Sequence, residues 1–217
     1  MVFPLRNHTL LGYAGSGSAI VECAFALAQL ELVVEDVDTT PGSPSRARLL
    51  AYNRLVQVPV LLLPDESVLS ESLAILHYVQ DLAPACALIP KSGIGVRATF
   101  YRWAVFLVAA VYPTFTYGDD PRQWVDDDRG AELLRHSTDR HREQLWSELE
   151  SLAQAPWFLG AEFCAIDLYI AVMRHWRPRA AWFDAQTPKL SAIAQRVAAR
   201  PELVAIFARH FPTSATG

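Results

Sequence analysis

The sequence NRLVQVPVLLLPDESVLSESLAIL, residues 53–76, carries the signals that decide the fold. Pro59 opens the apolar run Val60–Leu63, a polar turn of proline, aspartate, glutamate and serine follows, and Val68–Leu69 is apolar again. Two short apolar runs joined by turn residues predict a β-hairpin. Apolar and polar positions then recur at helical spacing from Ser70 to Leu82, which predicts a helix directly after the hairpin.

The residues before this stretch predict alternating strands and helices. Thr9–Tyr13 is a short apolar strand, glycines and serines break the chain at 15–18, and Ala19–Leu30 is apolar with helical spacing. Leu32–Val37 is typical of a second strand, and Ser45–Tyr52 of a short helix. The predicted order is βαβαββα.

The rest of the chain predicts helices alone. Prolines and glycines at 84–95 predict a linker, so an α/β domain at 1–83 precedes an all-helical domain at 96–217. Val96–Val111 is apolar on most faces, which predicts a largely buried helix that ends before Pro113. The other predicted helices are Glu132–Ala153, Ala165–Trp176, Pro188–Ala199 and Pro201–Phe211.

The composition excludes several classes of protein. The 217 residues are 52% hydrophobic and 19% charged, which indicates a packed core rather than disorder. The 23 acidic residues exceed the 19 basic ones, the opposite of a nucleic-acid binder. The longest apolar run, Trp103–Tyr112, is shorter than the about 20 residues that cross a bilayer, and Met1–Leu11 lacks the layout of a secretion signal. We expect a soluble cytoplasmic protein without nucleic-acid or membrane partners.

Neither the cysteines nor the histidines indicate a metal site. The three cysteines lie far apart without CxxC spacing, so we expect free buried thiols, and the six histidines are scattered. The cysteines are Cys23, Cys86 and Cys164.

Residues 53–59, together with LSESLAI at 69–75 and Tyr78, resemble the N-terminal domain of the glutathione S-transferases. That domain joins an asparagine to QVPxL, then ESxAI and an aromatic residue. WFLG at 157–160, FCAID at 163–167 and the helices from Thr187 to Pro201 resemble the family's C-terminal half. The resemblance covers nearly the whole chain. It implies a thioredoxin-like N-terminal domain, an all-α C-terminal domain and a homodimer of the cytosolic, bacterial-like kind.

The resemblance also implies a glutathione site. The Val58–Pro59 peptide bond is expected to be cis, which lets the main chain of Val58 pair with the cysteinyl part of glutathione. Ser72 would bind the γ-glutamyl carboxylate at a helix N-terminus, with Glu71 helping to hold the site and Gln57 reaching the same end. A proline that only opens a strand, and an ordinary serine N-cap at Ser70 or Ser72, are the alternatives.

The resemblance places the thiol-activating hydroxyl in the turn after the first strand. Ser16, Ser18 and Tyr13 compete for this role. When the family's first helix is aligned with this sequence, Ser16 falls at the position of the catalytic serine of the serine-type enzymes. Ser18 is then left as the N-cap of that helix. Tyr13 then belongs to the pocket wall. Such a turn lowers the thiol pKa from about 8.5 toward neutrality, although a merely flexible turn is the alternative.

The turn departs from two classes of the family. It lacks the SSC run with following arginines of the zeta class, which argues against isomerase activity. It also lacks the cysteine of the beta class, which argues against a mixed-disulfide mechanism.

An aromatic segment before and after Pro113 is expected to face the second substrate. Tyr112 and Phe115, with Tyr13, are the candidates for an electrophile pocket, and the other aromatic residues are more typical of core packing. The predicted function is transfer of glutathione, a co-substrate, to a small apolar electrophile, with no tightly bound cofactor. The alternatives are a catalytically silent glutathione-binding or interaction protein, and a glutathione-dependent peroxidase or dehalogenase.

Cys164 occupies a position where the family commonly has serine or threonine. Asp167 lies three residues later, the spacing of a reciprocal helix cap. We expect a weakened cap in which Asp167 still accepts from the Cys164 main chain.

Overall fold

The computed structural model describes residues 7–91 and 93–212. Its contacts divide the chain into two units, and the division falls between Leu88 and Ile89, inside the predicted linker. The second unit ends at Val197. Residues 198–212 belong to the first unit, whereas the sequence placed them in the helical domain.

The predicted βαβαββα order is confirmed. It comprises β1 (His8–Gly12), α1 (Ser18–Ala28), β2 (Leu32–Asp36), α2 (Pro44–Tyr52), β3 (Val60–Leu62), β4 (Val68–Ser70) and α3 (Ser72–Leu82). Helices follow, namely α4 (Ile94–Phe106), α5 (Tyr112–Asp119), α6 (Asp128–Leu152), α7 (Ala165–Met173), α8 (Ala180–Gln186), α9 (Pro188–Ala198) and α10 (Val204–His210).

The first unit is built on a mixed four-stranded sheet of order β2-β1-β3-β4, as the thioredoxin-like prediction requires. β1 is parallel to β2 and antiparallel to β3, and β4 is antiparallel to β3. Leu11, Val60 and Leu49 of α2 belong to one buried cluster. Leu10 and Leu61 alternate with these residues and are also fully buried, so both faces of the sheet are covered. α1 packs against α3 and α10.

The prediction that a helix ends before Pro113 is wrong. α4 continues through a π-helical turn at Leu107–Val111 into α5, and Pro113 lies in the first turn of α5. Proline is tolerated in the first turn of a helix, because the N–H groups there have no acceptor within the helix and its missing N–H costs no hydrogen bond. A π turn adjusts the main-chain hydrogen bonding just before it.

The joined helix is longer than the apolar run Trp103–Tyr112 indicates. Ile94–Asp119 spans 26 residues, and its most apolar 18-residue segment has a mean hydropathy of 1.4, which is long and apolar enough to cross a membrane. Only 28% of its most apolar segment is buried. Because the core helix of a soluble domain meets the same criterion, the absence of a membrane partner stays a prediction.

A buried arginine joins α5 to α6 in the second unit. Arg142 donates from Nε to Oγ1 of Thr114 and from Nη2 to the Thr114 carbonyl oxygen, both at 2.9 Å. Its Nη1 lies 2.8 Å from Oδ1 of Asp139. Burial lowers the pKa of Arg142, and the Asp139 carboxylate opposes that effect. The guanidinium carbon is 4.1 Å from the ring centre of Phe115, which it helps to hold in place.

Asp167 closes the N-terminus of α7. Its Oδ2 accepts the N–H of Cys164 and its Oδ1 the N–H of Phe158, both at 2.8 Å. Burial raises the pKa of Asp167 to about 6, although these two hydrogen bonds act in the opposite direction. The expected hydrogen bond from the Cys164 main chain to Asp167 is confirmed.

Cys164→Ser is expected to raise the free energy of unfolding by a few tenths to about 1 kcal/mol. Cys164 is the N-cap of α7, and a hydroxyl accepts a main-chain N–H better than a thiol does. Urea denaturation of both proteins measures the difference. Cys23→Ser is the control, because Cys23 is buried inside α1 and its polar replacement should destabilise. No gain for Cys164→Ser would count against the capping role.

Candidate active site

The strand register brings three predicted site segments to one edge of the sheet. Leu11 of β1 pairs with Val60 of β3, and Val60 pairs with Ser70 of β4. The turn after β1, the Val58–Pro59 peptide before β3 and the start of α3 after β4 therefore lie at the same edge. All three belong to the first unit.

The Val58–Pro59 peptide bond is cis, as the sequence predicts. The Val58 side chain packs against the core cluster of the sheet. Within the part of the chain that the structure describes, the Val58 N–H and C=O form no hydrogen bond. Gln57 is exposed, and its carbonyl oxygen accepts from Asn53 Nδ2 at 2.9 Å. A half-buried main chain with unused donor and acceptor groups can pair with an extended peptide.

The start of α3 has an unusual backbone. Glu71 is the N-cap with φ 65°, a left-handed value that is uncommon outside glycine and often found at functional sites. Ser72 is the first helical residue and is nearly buried. Ser70 ends β4 and Ser72 lies inside the helix, so the alternative of a serine N-cap at either position is wrong. The N–H groups and partial positive charge of a helix start favour an anion here.

Ser16 and Ser18 form a hydrogen-bonded pair beneath the turn. Ser16 Oγ lies 2.6 Å from the Tyr13 carbonyl oxygen and 2.8 Å from Ser18 Oγ. It also accepts the Ser18 N–H at 3.2 Å. A hydroxyl has one hydrogen, so Ser16 gives it to Tyr13 or to Ser18 in this arrangement. Both serines are buried, with Ser16 7% exposed.

The N-cap of α1 is Gly17, and the prediction that Ser18 has this role is wrong. Ser18 is the first helical residue, and its N–H donates to the Ser16 hydroxyl in the turn before the helix. Among the described residues, the N–H of Gly17 forms no hydrogen bond. This N–H is a second donor at the start of α1, beside the Ser16 hydroxyl.

Gly12→Ala is expected to lower the free energy of unfolding by about 1–3 kcal/mol. A Cβ on Gly12 would lie 2.5 Å from Cβ of Ser18, so α1 or the turn must shift. Thermal unfolding measures the loss. Gly95→Ala is the control, because nothing lies within 4 Å of the added Cβ and alanine favours a helix. Equal stability of Gly12→Ala and wild type would contradict the close approach of Ser18 to β1.

The candidate electrophile residues fall in different units and are described separately. Tyr13 is 41% exposed, directly after β1. In the second unit, the ring of Tyr112 contacts those of Phe115, Tyr169 and Trp176. Phe115 is buried beneath Arg142, which favours a packing role for it. The electrophile pocket stays a prediction.

Sequence reasoning missed two residues that contact the turn or its helix. His210 Nδ1 lies 3.0 Å from the Gly15 nitrogen, and His210 Nε2 lies 2.8 Å from Glu22 Oε1. A glutamate inside the apolar run Ala19–Leu30 was the available signal for Glu22. His210 had no local signal, because its partners are remote in sequence.

The described cysteines differ in burial, and the described residues hold no cluster of metal ligands. Cys23 and Cys164 are buried free thiols as predicted, whereas Cys86 is only partly buried. Burial and the Glu22 carboxylate raise the pKa of Cys23, which makes it a poor nucleophile. Within residues 7–91 and 93–212, no group of three or more histidine, cysteine, aspartate or glutamate residues could hold a metal ion.

Fold and site together define a thioredoxin-like protein with a second, helical unit. A family model described as glutathione S-transferase, N-terminal domain, matches residues 18–82. The uncharacterized GST-like protein YncG of Escherichia coli is 35% identical over 201 residues, 92% of this chain and 96% of that protein. The chain therefore belongs to the glutathione S-transferase family.

Two further comparisons agree with this assignment. A glutathione S-transferase of Xanthomonas campestris is 27% identical over 176 residues, 81% of this chain and 84% of that protein. The crystal structure of a glutathione transferase homolog from Sulfitobacter with bound glutathione has the same fold, with a TM-score of 0.79 and 24% identity. That match covers 93% of this chain and 97% of the other.

Proposed function

We propose that the protein is a glutathione transferase that activates the thiol of bound glutathione for attack on a small apolar electrophile. The observation that carries the proposal is the strand register, in which Leu11 pairs with Val60 and Val60 with Ser70. This register brings the turn after β1, the peptide before β3 and the start of α3 to one edge of the sheet. Each segment offers a group that suits a different part of glutathione. The relative from Sulfitobacter was crystallised with glutathione, which supports the same ligand for this chain.

The main chain of Val58 suits the cysteinyl part of the tripeptide. Its unused N–H and C=O can pair with an extended peptide as a neighbouring strand would. The start of α3 suits the γ-glutamyl carboxylate, with Ser72 and the N-terminal N–H groups as donors. Glu71 would help to hold this site, and Gln57 would reach the same end from the exposed chain before β3.

The turn after β1 suits the sulfur. We infer that the Ser16 hydroxyl turns from the Tyr13 carbonyl to the bound sulfur and donates to the thiolate. The N–H of Gly17 and the positive end of α1 add to this stabilisation. A donor to the charged form lowers the thiol pKa, so more of the bound glutathione is a nucleophile near pH 7.

One observation favours a second candidate, a silent glutathione-binding protein. The hydroxyl hydrogen of Ser16 already has an acceptor in Tyr13 or Ser18. A serine that keeps this hydrogen bond would leave the thiol unactivated. The homodimer, the cytoplasmic location and the electrophile contacts stay predictions; exposed apolar residues on α4, such as Ile94 and Val105, suit a second copy.

Calorimetric titration with glutathione and with S-methylglutathione distinguishes these candidates. A transferase should release a proton when it binds glutathione near pH 7, and none when it binds the methylated analogue, which has no thiol proton. It should also convert an aryl chloride activated by nitro groups. Binding of both ligands without proton release or turnover would establish the silent protein, and failure to bind either would overturn the proposed function.

A further inference from the structure

The C-terminal helix returns to the first unit and ends at the turn after β1. α10 packs against α1, and His210 is the last residue of α10. The His210 side chain is completely buried. A buried imidazole needs partners for both nitrogens, and both lie within hydrogen-bond distance of the first unit's own groups.

The contacts of His210 with Gly15 and Glu22 assign its tautomer. Nη2 of Arg209 also lies 3.3 Å from Nε2, but it can only donate, and its nearer acceptor is Oε1 of Glu22 at 2.5 Å. The Gly15 N–H can only donate, so Nδ1 of His210 accepts it at 3.0 Å. Nε2 then carries the proton and donates to Oε1 of Glu22 at 2.8 Å. Gly15 has φ 81°, a conformation that glycine adopts without strain, and it lies in the turn directly before Ser16.

Glu22 also forms an ion pair with Arg209. Arg209 Nη2 lies 2.5 Å from the same Oε1 atom, and Arg209 Nη1 lies 3.3 Å from Oδ1 of Asp36 at the end of β2. The Glu22 side chain is only 8% exposed. Its charge therefore acts at short range on the imidazole and orients the ring toward Gly15.

We propose that His210 is a positioning residue, which fixes the thiol-activating turn through the Gly15 N–H and is itself oriented by Glu22. The inference rests on the proposed function. His210 touches neither the sulfur nor the electrophile in this scheme. It limits the motion of a turn whose donors must meet the sulfur within a fraction of an ångström.

Two substitutions separate the two hydrogen bonds of His210. In His210→Asn the amide oxygen can take the place of Nδ1, which keeps an acceptor for Gly15 and loses the contact with Glu22. In His210→Gln the longer amide reaches Glu22 and loses the acceptor near Gly15. Both variants lose ring volume and one hydrogen bond, so their losses of stability should be similar.

The readouts are the pKa of the bound glutathione thiol and kcat/KM. His210→Asn should stay within about threefold of wild type in kcat/KM, whereas His210→Gln should fall about 10-fold or more. The thiol pKa should rise by about one unit in His210→Gln only. Equal values in the two variants, beside a depressed thiol pKa in wild type, overturn the inference and leave the proposed function standing. A wild-type thiol pKa near that of free glutathione overturns both.

Hydrogen exchange tests the same contact without any substitution. In the wild type, the Gly15 amide should exchange at least about 100-fold more slowly than that of exposed Ala14. Comparable exchange rates at the two positions overturn the positioning role, whatever the variants do.

Discussion

Asp167→Ala is expected to lower the free energy of unfolding by about 2–5 kcal/mol. The carboxylate is fully buried and accepts the N–H groups of Phe158 and Cys164. Alanine leaves both donors without an acceptor, at a cost of about 1–3 kcal/mol each. Urea denaturation measures the loss. Asp128→Ala removes an exposed carboxylate and should change stability by less than about 1 kcal/mol.

The same carboxyl makes stability depend on pH. Burial raises its pKa to about 6, above the about 3.9 of an unfolded chain. Between these values the folded state binds more protons, so the contribution of Asp167 to stability decreases as pH rises from about 4 to about 6. Asp167→Asn does not titrate, so the advantage of wild type over this variant should shrink across that range. An advantage that grows with pH would contradict the raised pKa.

Ser16→Ala is expected to lower kcat/KM for glutathione transfer roughly 20- to 30-fold near pH 7. That factor is the loss of thiolate when a thiol pKa rises by about two units, from about 6.5 to about 8.5. Glutathione affinity should change little, because the Val58 main chain and the start of α3 are untouched. Initial rates at several glutathione concentrations separate the two quantities.

Ser18→Ala is the matched control for this prediction. It removes the hydroxyl that pairs with Ser16 but leaves the Tyr13 carbonyl and the Gly17 N–H in place. We expect a smaller decrease in kcat/KM than for Ser16→Ala. A larger decrease would show that Ser18 activates the thiol. Unchanged rates in both variants would assign that role to the Gly17 N–H or to Tyr13.

Local signals in the sequence were sufficient for the first seven elements. The β-hairpin follows from apolar runs and turn residues within about ten positions, which is the range over which strand and turn preferences act. The cis Val58–Pro59 peptide, Glu71 and Ser72 followed from the family resemblance alone. That these residues lie at one edge of the sheet follows only from the observed strand register.

Tertiary contacts account for what the sequence did not indicate. Pro113 stops an isolated helix, but the π turn before it keeps α4 and α5 continuous. The sequence does not indicate the left-handed backbone of Glu71. The connection from β4 to α3 imposes this conformation on whichever residue stands at that position. His210 and Gly15 are 195 positions apart, so only the return of α10 to the first unit brings them together.

The pKa of the thiol of glutathione bound to the wild-type protein is the decisive measurement. The ultraviolet absorbance of the thiolate, titrated against pH at saturating glutathione, reports it directly. Activation by the turn after β1 predicts an apparent pKa about two units below the about 8.5 of a free thiol. A value near 8.5, with binding verified by calorimetry on the same sample, would contradict thiol activation and favour the silent glutathione-binding protein.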